Sequence, residues 1–341
     1  MIIERLKLFL LILGVIVTAS IEHITIPIFV TAYSSIYFIL LMTTVQGTIF
    51  YAIGFGILRF IKDEQLPNVC DNLGLIIMAG VTNALMSMFL AYSANPIRTP
   101  VVIQSIFLGL AIIPSIVFTK FILKKNVEYN KVYASLSISL LLLSVTIACI
   151  PIFLNNNNTF HVGWIVLYLF GVVFLSLANI LQEKYIIMTN HSLLNKFRFA
   201  AIVSFVQVVT IILCCWIDLF FGYYGTPAGA FNAFVNSIDV FFSDPYMTFL
   251  IELFVIDILA LFIFSIYLNA ISTNYNMILT NLTNQSVALF FLFFPELNHG
   301  LKYPLSVTML SLTFNISSII LWVKGEKTIE EKSIETPYNT F

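Results

Sequence analysis

The chain has 341 residues, of which 60% are apolar and only 10% charged, whereas an ordinary soluble domain has roughly 25% charged residues. That balance excludes a water-soluble enzyme, and a net charge of −1 from 16 basic and 17 acidic residues leaves no basic surface for nucleic acid. The hydrophobicity recurs along the whole length, so the bilayer is the expected solvent.

A helix needs about 20 predominantly apolar residues to cross a bilayer. Ten stretches meet that requirement: 6–30, 35–60, 72–93, 99–122, 131–154, 162–188, 196–221, 246–269, 273–294 and 303–323. The N-terminus carries Arg5 and Lys7 and an apolar run too long for a signal-peptide core, so the first stretch reads as a membrane helix. With a cytosolic N-terminus, Arg98 and Lys302 are the only basic residues on the opposite side, and the other 14 of the 16 fall on the cytosolic side. This asymmetry is that expected of cytosolic loops and predicts two cytosolic termini. The far-side loops are polar and mildly acidic, with His161, Glu296, His299 and an N-x-T sequon at Asn157.

Between 222 and 245 the residues Phe231, Phe234, Val235, Ile238, Phe241 and Phe242 share one helical face, with Asn232, Asn236 and Asp239 on another. The spacing predicts an amphipathic helix, either lying in the far-side interface or packed on the bundle.

Ten helices with both ends on one side divide into two halves of five, the second inverted relative to the first, a recurrent transporter architecture. The predicted units are 1–158, 159–323 with its interfacial helix, and a polar tail, 324–341. Tyr92-Ser-Ala-Asn-Pro-Ile-Arg-Thr before span four is echoed by Tyr267-Leu-Asn-Ala-Ile-Ser-Thr before span nine. Spans four and nine are therefore the first expected site helices.

Nothing matches a hydrolase, metalloprotease or phosphate-loop motif, and the four cysteines follow no metal or disulfide spacing. Neither an enzyme nor a cofactor is expected. The informative residues are polar ones at membrane depth, where an ionisable group costs at least about 2.5–3.5 kcal/mol on insertion scales. Glu22 and His23 lie in span one, Glu183 in span six, Glu252 and Asp257 in span eight. Each could face a cavity or bond a neighbouring helix. Acids without an embedded Lys or Arg suit protons or a cationic or zwitterionic substrate. Span nine carries Asn276, Thr280, Asn281, Thr283, Asn284, Gln285 and Ser286, which can line a cavity or join helices. Gln104 on span four, Asn179 and Gln182 on span six, and Ser204 and Gln207 on span seven are further lining candidates.

Asn179-Ile-Leu-Gln-Glu183, Arg198-Phe-Ala-Ala-Ile-Val-Ser204-Phe-Val-Gln207 and Val101-Val-Ile-Gln104 give the chain its resemblance to the chloroquine-resistance-transporter-like branch of the drug/metabolite transporter superfamily. It departs from that pattern at Leu108 and at Thr283-Asn284-Gln285, and its long loop has no cysteines. The resemblance implies an all-α, ten-helix inverted-repeat carrier of a vacuolar or lysosome-like membrane. Such a carrier exports amino acids, small peptides or cationic amphiphiles with protons, its partners being a small-molecule substrate, protons and the lipid bilayer.

The expected mechanism is alternating access around a cavity lined by spans one, four, six, seven, eight and nine. The candidate residues are Glu22, Gln104, Glu183, Asp257, Thr280 and Asn284, with Asp257, or Glu22 as its alternate, accepting the proton. A nucleotide-sugar or triose-phosphate carrier of the same superfamily is an alternative that requires an embedded cation. A membrane scaffold or receptor is another, and it requires a dry, closed bundle.

Overall fold

A computed structural model describes residues 2–124, 130–154, 162–189, 192–222, 224–269, 273–294 and 303–335. The sequon at Asn157, the residues His161, Glu296, His299 and Lys302, and positions 270–272 of the span-nine echo lie outside them. The side chain of Asn284 is also outside the described set.

The described residues form helices and turns with no strand. The helices are α1 (Ile2–Ala32), α2 (Ile36–Ile61), α3 (Leu73–Ser93), α4 (Val101–Leu108), α5 (Ile112–Phe118), α6 (Lys131–Leu154), α7 (Val162–Met188), α8 (Leu193–Leu213), α9 (Ile217–Phe221), α10 (Pro227–Ser243), α11 (Pro245–Asn269), α12 (Thr273–Phe293) and α13 (Leu305–Glu335). Polar N-caps set several starts: Ser35, Ser192 and Thr226 accept from the amides of Phe38, Asn195 and Gly229 at 3.2, 3.2 and 3.1 Å. Each bond satisfies one of the amides that a helix start leaves without an intrahelical partner.

Among the described residues nine helical segments are long and apolar enough to cross a membrane. The chain is thus an all-helical, multi-pass membrane protein. The ninth predicted span is present as α12, but its apolar stretch, Ile278–Phe293, is shorter than the others, because amides and hydroxyls crowd its first turns. The seventh ends at Leu213 instead of 221: the helix turns at Cys214–Trp216 and restarts as α9. The fourth is built from α4, a tight 3-10 turn at Gly109–Ala111, α5 and a wide π turn at Thr119–Leu123. Beyond Lys324, where the sequence reading places a tail, α13 continues to Glu335, consistent with the Lys- and Glu-rich sequence there, which favours helix.

The principal packing pairs are α6 with α13, α3 with α7, α2 with α8, α1 with α11, α3 with α8, and α12 with both α1 and α4. Between α6 and α13, serines seven residues apart bond reciprocally. Ser137 and Ser318 each donate to the other's carbonyl at 2.7 and 2.8 Å, and Ser144 and Ser311 do the same at 2.7 and 2.6 Å. Small hydroxyl residues let helix backbones approach closely where lipid offers no hydrogen-bond partner. The outer surface is apolar, with Phe9, Phe60, Phe121, Phe153, Phe205 and Ile256 exposed. Such a surface is stable only against hydrocarbon.

Helix α10 has three faces rather than two. Ala230, Ala233, Ser237 and Phe241 are buried against the bundle, and Phe234 meets the rings of Tyr37 and Phe38. Phe231, Val235 and Phe242 are exposed on a second face, and Asn232, Asn236 and Asp239 are exposed on a third. The two sequence alternatives, packed and interfacial, therefore coexist on one helix.

Candidate functional site: a cavity inside the bundle

The bundle encloses a cavity of about 240 Å³. Helices α1, α2, α3, α4, α7, α8 and α11 contribute its walls. Along α2 the lining runs from Ile36 to Tyr51, about 22 Å at 1.5 Å per residue. The cavity thus occupies the half of the bundle toward Ser34 and extends past its middle. Its polar groups are Glu22, His23, Thr43, Thr44, Asn83, Ser87, Gln104, Tyr168, Ser204 and Gln207, and no Lys or Arg lines it. Most of the remaining lining is apolar, including Phe254, Val255, Ile258, Leu259 and Phe262 of α11 and Phe29 of α1.

Glu22 projects from α1 into this cavity and is close enough to Tyr168 and Asp257 to act on them electrostatically. Gln104 is 7% exposed, and its amide donates to the carbonyls of Ala94 at 2.8 Å and Thr99 at 2.6 Å. It holds the α3–α4 connection in place while lining the cavity. Gln207 donates to Ser87 at 3.1 Å and so joins α8 to α3 across the wall.

The other candidates lie elsewhere. Asp257 is buried, is not part of the lining, and its Oδ2 has no hydrogen-bond partner among the described residues. Glu183 is buried in α7 outside the lining, and Glu252 accepts from Gln46 at 2.7 Å. Thr280 donates to the Asn276 carbonyl at 3.0 Å and does not line the cavity.

The amides of α12 join helices. Asn276 donates to Asn269 at 2.9 Å, and Asn269 in turn donates to Asn179 and Gln182 at 2.8 and 2.5 Å. Gln285 donates to Asn281 at 2.8 Å, and Asn281 lies 3.4 Å from its acceptor Asn315. The described part of α12 therefore adds nothing to the cavity wall, whereas α2 and α3, absent from the sequence expectation, supply much of it. Asn83 and Ser87, four apart on span three, carry a polar-face signal in the sequence. Tyr51 and Tyr168 carry none, since an aromatic residue in an apolar span looks like core.

A second cluster at the Ser34 end escaped the sequence reading. The Tyr92 hydroxyl donates to Asp218 at 2.5 Å, and Arg98 donates to the carbonyls of Tyr92 and Phe221 at 2.6 and 2.8 Å. The Arg98 guanidinium lies 4.1 Å from the centre of the Trp164 ring. Asp218 is buried, and burial raises its carboxyl above its ordinary value, against the opposing effects of the Tyr92 and Tyr224 hydroxyls and the Arg98 charge. This cluster ties the ends of α3, α7 and α9 together.

Fold and cavity together define the class: a multi-pass helical membrane protein with an internal cavity, mainly apolar and bearing several polar side chains. No family model matches the chain, and no curated protein matches it as a relative.

Proposed function

We propose that this protein is a secondary active transporter that moves amino acids, small peptides or cationic amphiphilic compounds by alternating access, coupled to protons. The observation that carries the reading is the placement of Glu22 in an internal cavity of about 240 Å³ whose mainly apolar lining holds several polar side chains and, among the described residues, no Lys or Arg. A carboxylate there can take a proton or the amine of a substrate, and the α11 wall can take an apolar part. A scaffold calls for a dry bundle, and a phosphate-carrying substrate calls for a lining cation.

The packing supports ten spans in two inverted halves. With α1, α2, α3, α4–α5 and α6 as the first five and α7, α8, α11, α12 and α13 as the second, an exchange by five maps α2–α8, α4–α12 and α6–α13 onto themselves. It maps α3–α7 onto α1–α11, and α1–α12 onto the contact of α7 with α4 and α5. Such pairing is what two related halves rocking about a shared cavity require.

The basic-residue asymmetry supports cytosolic termini, and the sequence resemblance supports an acidic vacuole-like membrane. The protein has no enzymatic role and no cofactor in this reading. Uptake of amino acids, peptides and cationic drugs into proteoliposomes, with and without a pH gradient, tests it: gradient-stimulated uptake of at least one class is expected, and its absence for all classes contradicts the reading.

A further inference from the structure

Tyr51, the last α2 residue of the cavity lining toward Ile61, also lines a second, much smaller void. That void, about 10 Å³, is lined by Tyr51, Lys196, Ala200 and Tyr267 among others. It holds no more than about one water-sized sphere. Lys196, buried to 6% exposure, rests its ammonium 3.5 Å from the centre of the Tyr267 ring. Among the described residues Tyr51 alone is common to the linings of the cavity and the void.

The ring of Tyr51 is 3% exposed and packs against Phe262 and Phe197 with centroids 5.3 and 6.2 Å away. Its hydroxyl reaches only the Leu259 carbonyl, at a long 3.3 Å. Glycines bracket it on α2. At Gly54 an added Cβ would come within 2.5 Å of Phe197, and at Gly47 within 3.4 Å of Leu259. Bare backbone on both sides of Tyr51 lets α2 approach α8 and α11 closely, with the Phe197 ring over Gly54 and the Leu259 side chain over Gly47. A ring held by dispersion and one long hydrogen bond can move without breaking a strong bond.

We propose that Tyr51 is the gate of the transport route, closing the cavity from the Lys196 void, and that the route continues past it between α2, α8 and α11. The proposal rests on the transporter reading and adds the residue that separates its two faces.

The test uses the full-length protein in proteoliposomes with Cys70, Cys149, Cys214 and Cys215 replaced. A single cysteine is placed at Ser87 in the cavity wall or at Ala200 in the void, and an impermeant thiol reagent is applied from the Ser34 side. Ser87→Cys should label in every background. Ala200→Cys should be protected with Tyr51 present and in Tyr51→Phe, which keeps the ring. In Tyr51→Ala it should label at least about tenfold faster, as expected when a state populated no more than about 10% of the time becomes permanent.

An unchanged Ala200→Cys rate in Tyr51→Ala, with Ser87→Cys still labelled, overturns the gate and leaves the cavity standing. Fast labelling of Ala200→Cys with Tyr51 intact, or equal deprotection by Tyr51→Phe, also overturns the gate. Failure of Ser87→Cys to label overturns the accessible cavity itself, and the gate falls with it.

Discussion

Tyr92 and Asp218, 126 residues apart, are joined by a 2.5 Å hydrogen bond that fixes the end of α3 to the short helix after α8. Arg98 closes the same junction by bonding the Tyr92 and Phe221 carbonyls. Removing the hydroxyl in Tyr92→Phe leaves a buried carboxylate short of a donor, a loss of about 1–3 kcal/mol. The expected result is a lower melting temperature in detergent. Since Asp218→Asn keeps an acceptor for the Tyr92 hydroxyl without the charge, that variant should lose less.

The same carboxyl sets a pH dependence. Burial raises Asp218 above its ordinary value, so the folded state favours its protonated form. The stabilisation it gives is present at low pH and declines as pH rises through the raised titration range. Melting curves across pH should therefore show Asp218→Asn gaining on the wild type as pH increases above the ordinary carboxylate range. A constant difference between the two proteins would contradict this.

Gly109 is fixed by the amides opposite it. A Cβ there would stand 2.8 Å from Asn281 Nδ2 and 3.0 Å from Asn315 Nδ2. Gly109→Ala should destabilise by about 1–3 kcal/mol, as overpacking does, and Asn281→Ala in the same chain should recover part of that loss. A double-mutant cycle in detergent melting measures the coupling, and additive losses would show that the two sites do not touch.

Gln104 should behave as a positioning residue. Gln104→Leu removes both donors to the Ala94 and Thr99 carbonyls and loosens the turn into α4, so both stability and uptake should fall. Gln104→Glu puts an acceptor against two acceptors and should be at least as damaging. Uptake unchanged in Gln104→Leu would show that the turn does not shape the cavity.

Much of the helical architecture was legible from span length alone, because membrane helices must satisfy every backbone group internally. The spans at Ile36–Ile61, Leu73–Ser93 and Val162–Met188 fall within a residue or two of their sequence limits. What a linear pattern cannot show is which way a polar side chain points. The amides of α12 look in sequence like a cavity wall, yet Asn276 and Asn281 face partners on neighbouring helices and Gln285 bonds Asn281 on its own helix. Glu22 and Asp257 look equivalent, but only the first lines the cavity. Arg98 stood out only as a loop charge and Asp218 fell unremarked inside the predicted seventh span, since a contact across 120 residues leaves no local signal.

If Glu22 is the working acid of a proton-coupled cavity, as proposed above, pH-gradient-driven uptake in proteoliposomes of wild type and Glu22→Gln will reveal it. The account predicts that the wild type accumulates a cationic or zwitterionic substrate when the Ser34 side is acidic. Glu22→Gln, folded to the same melting temperature, should lose the gradient dependence. Full gradient-driven uptake by Glu22→Gln would contradict it.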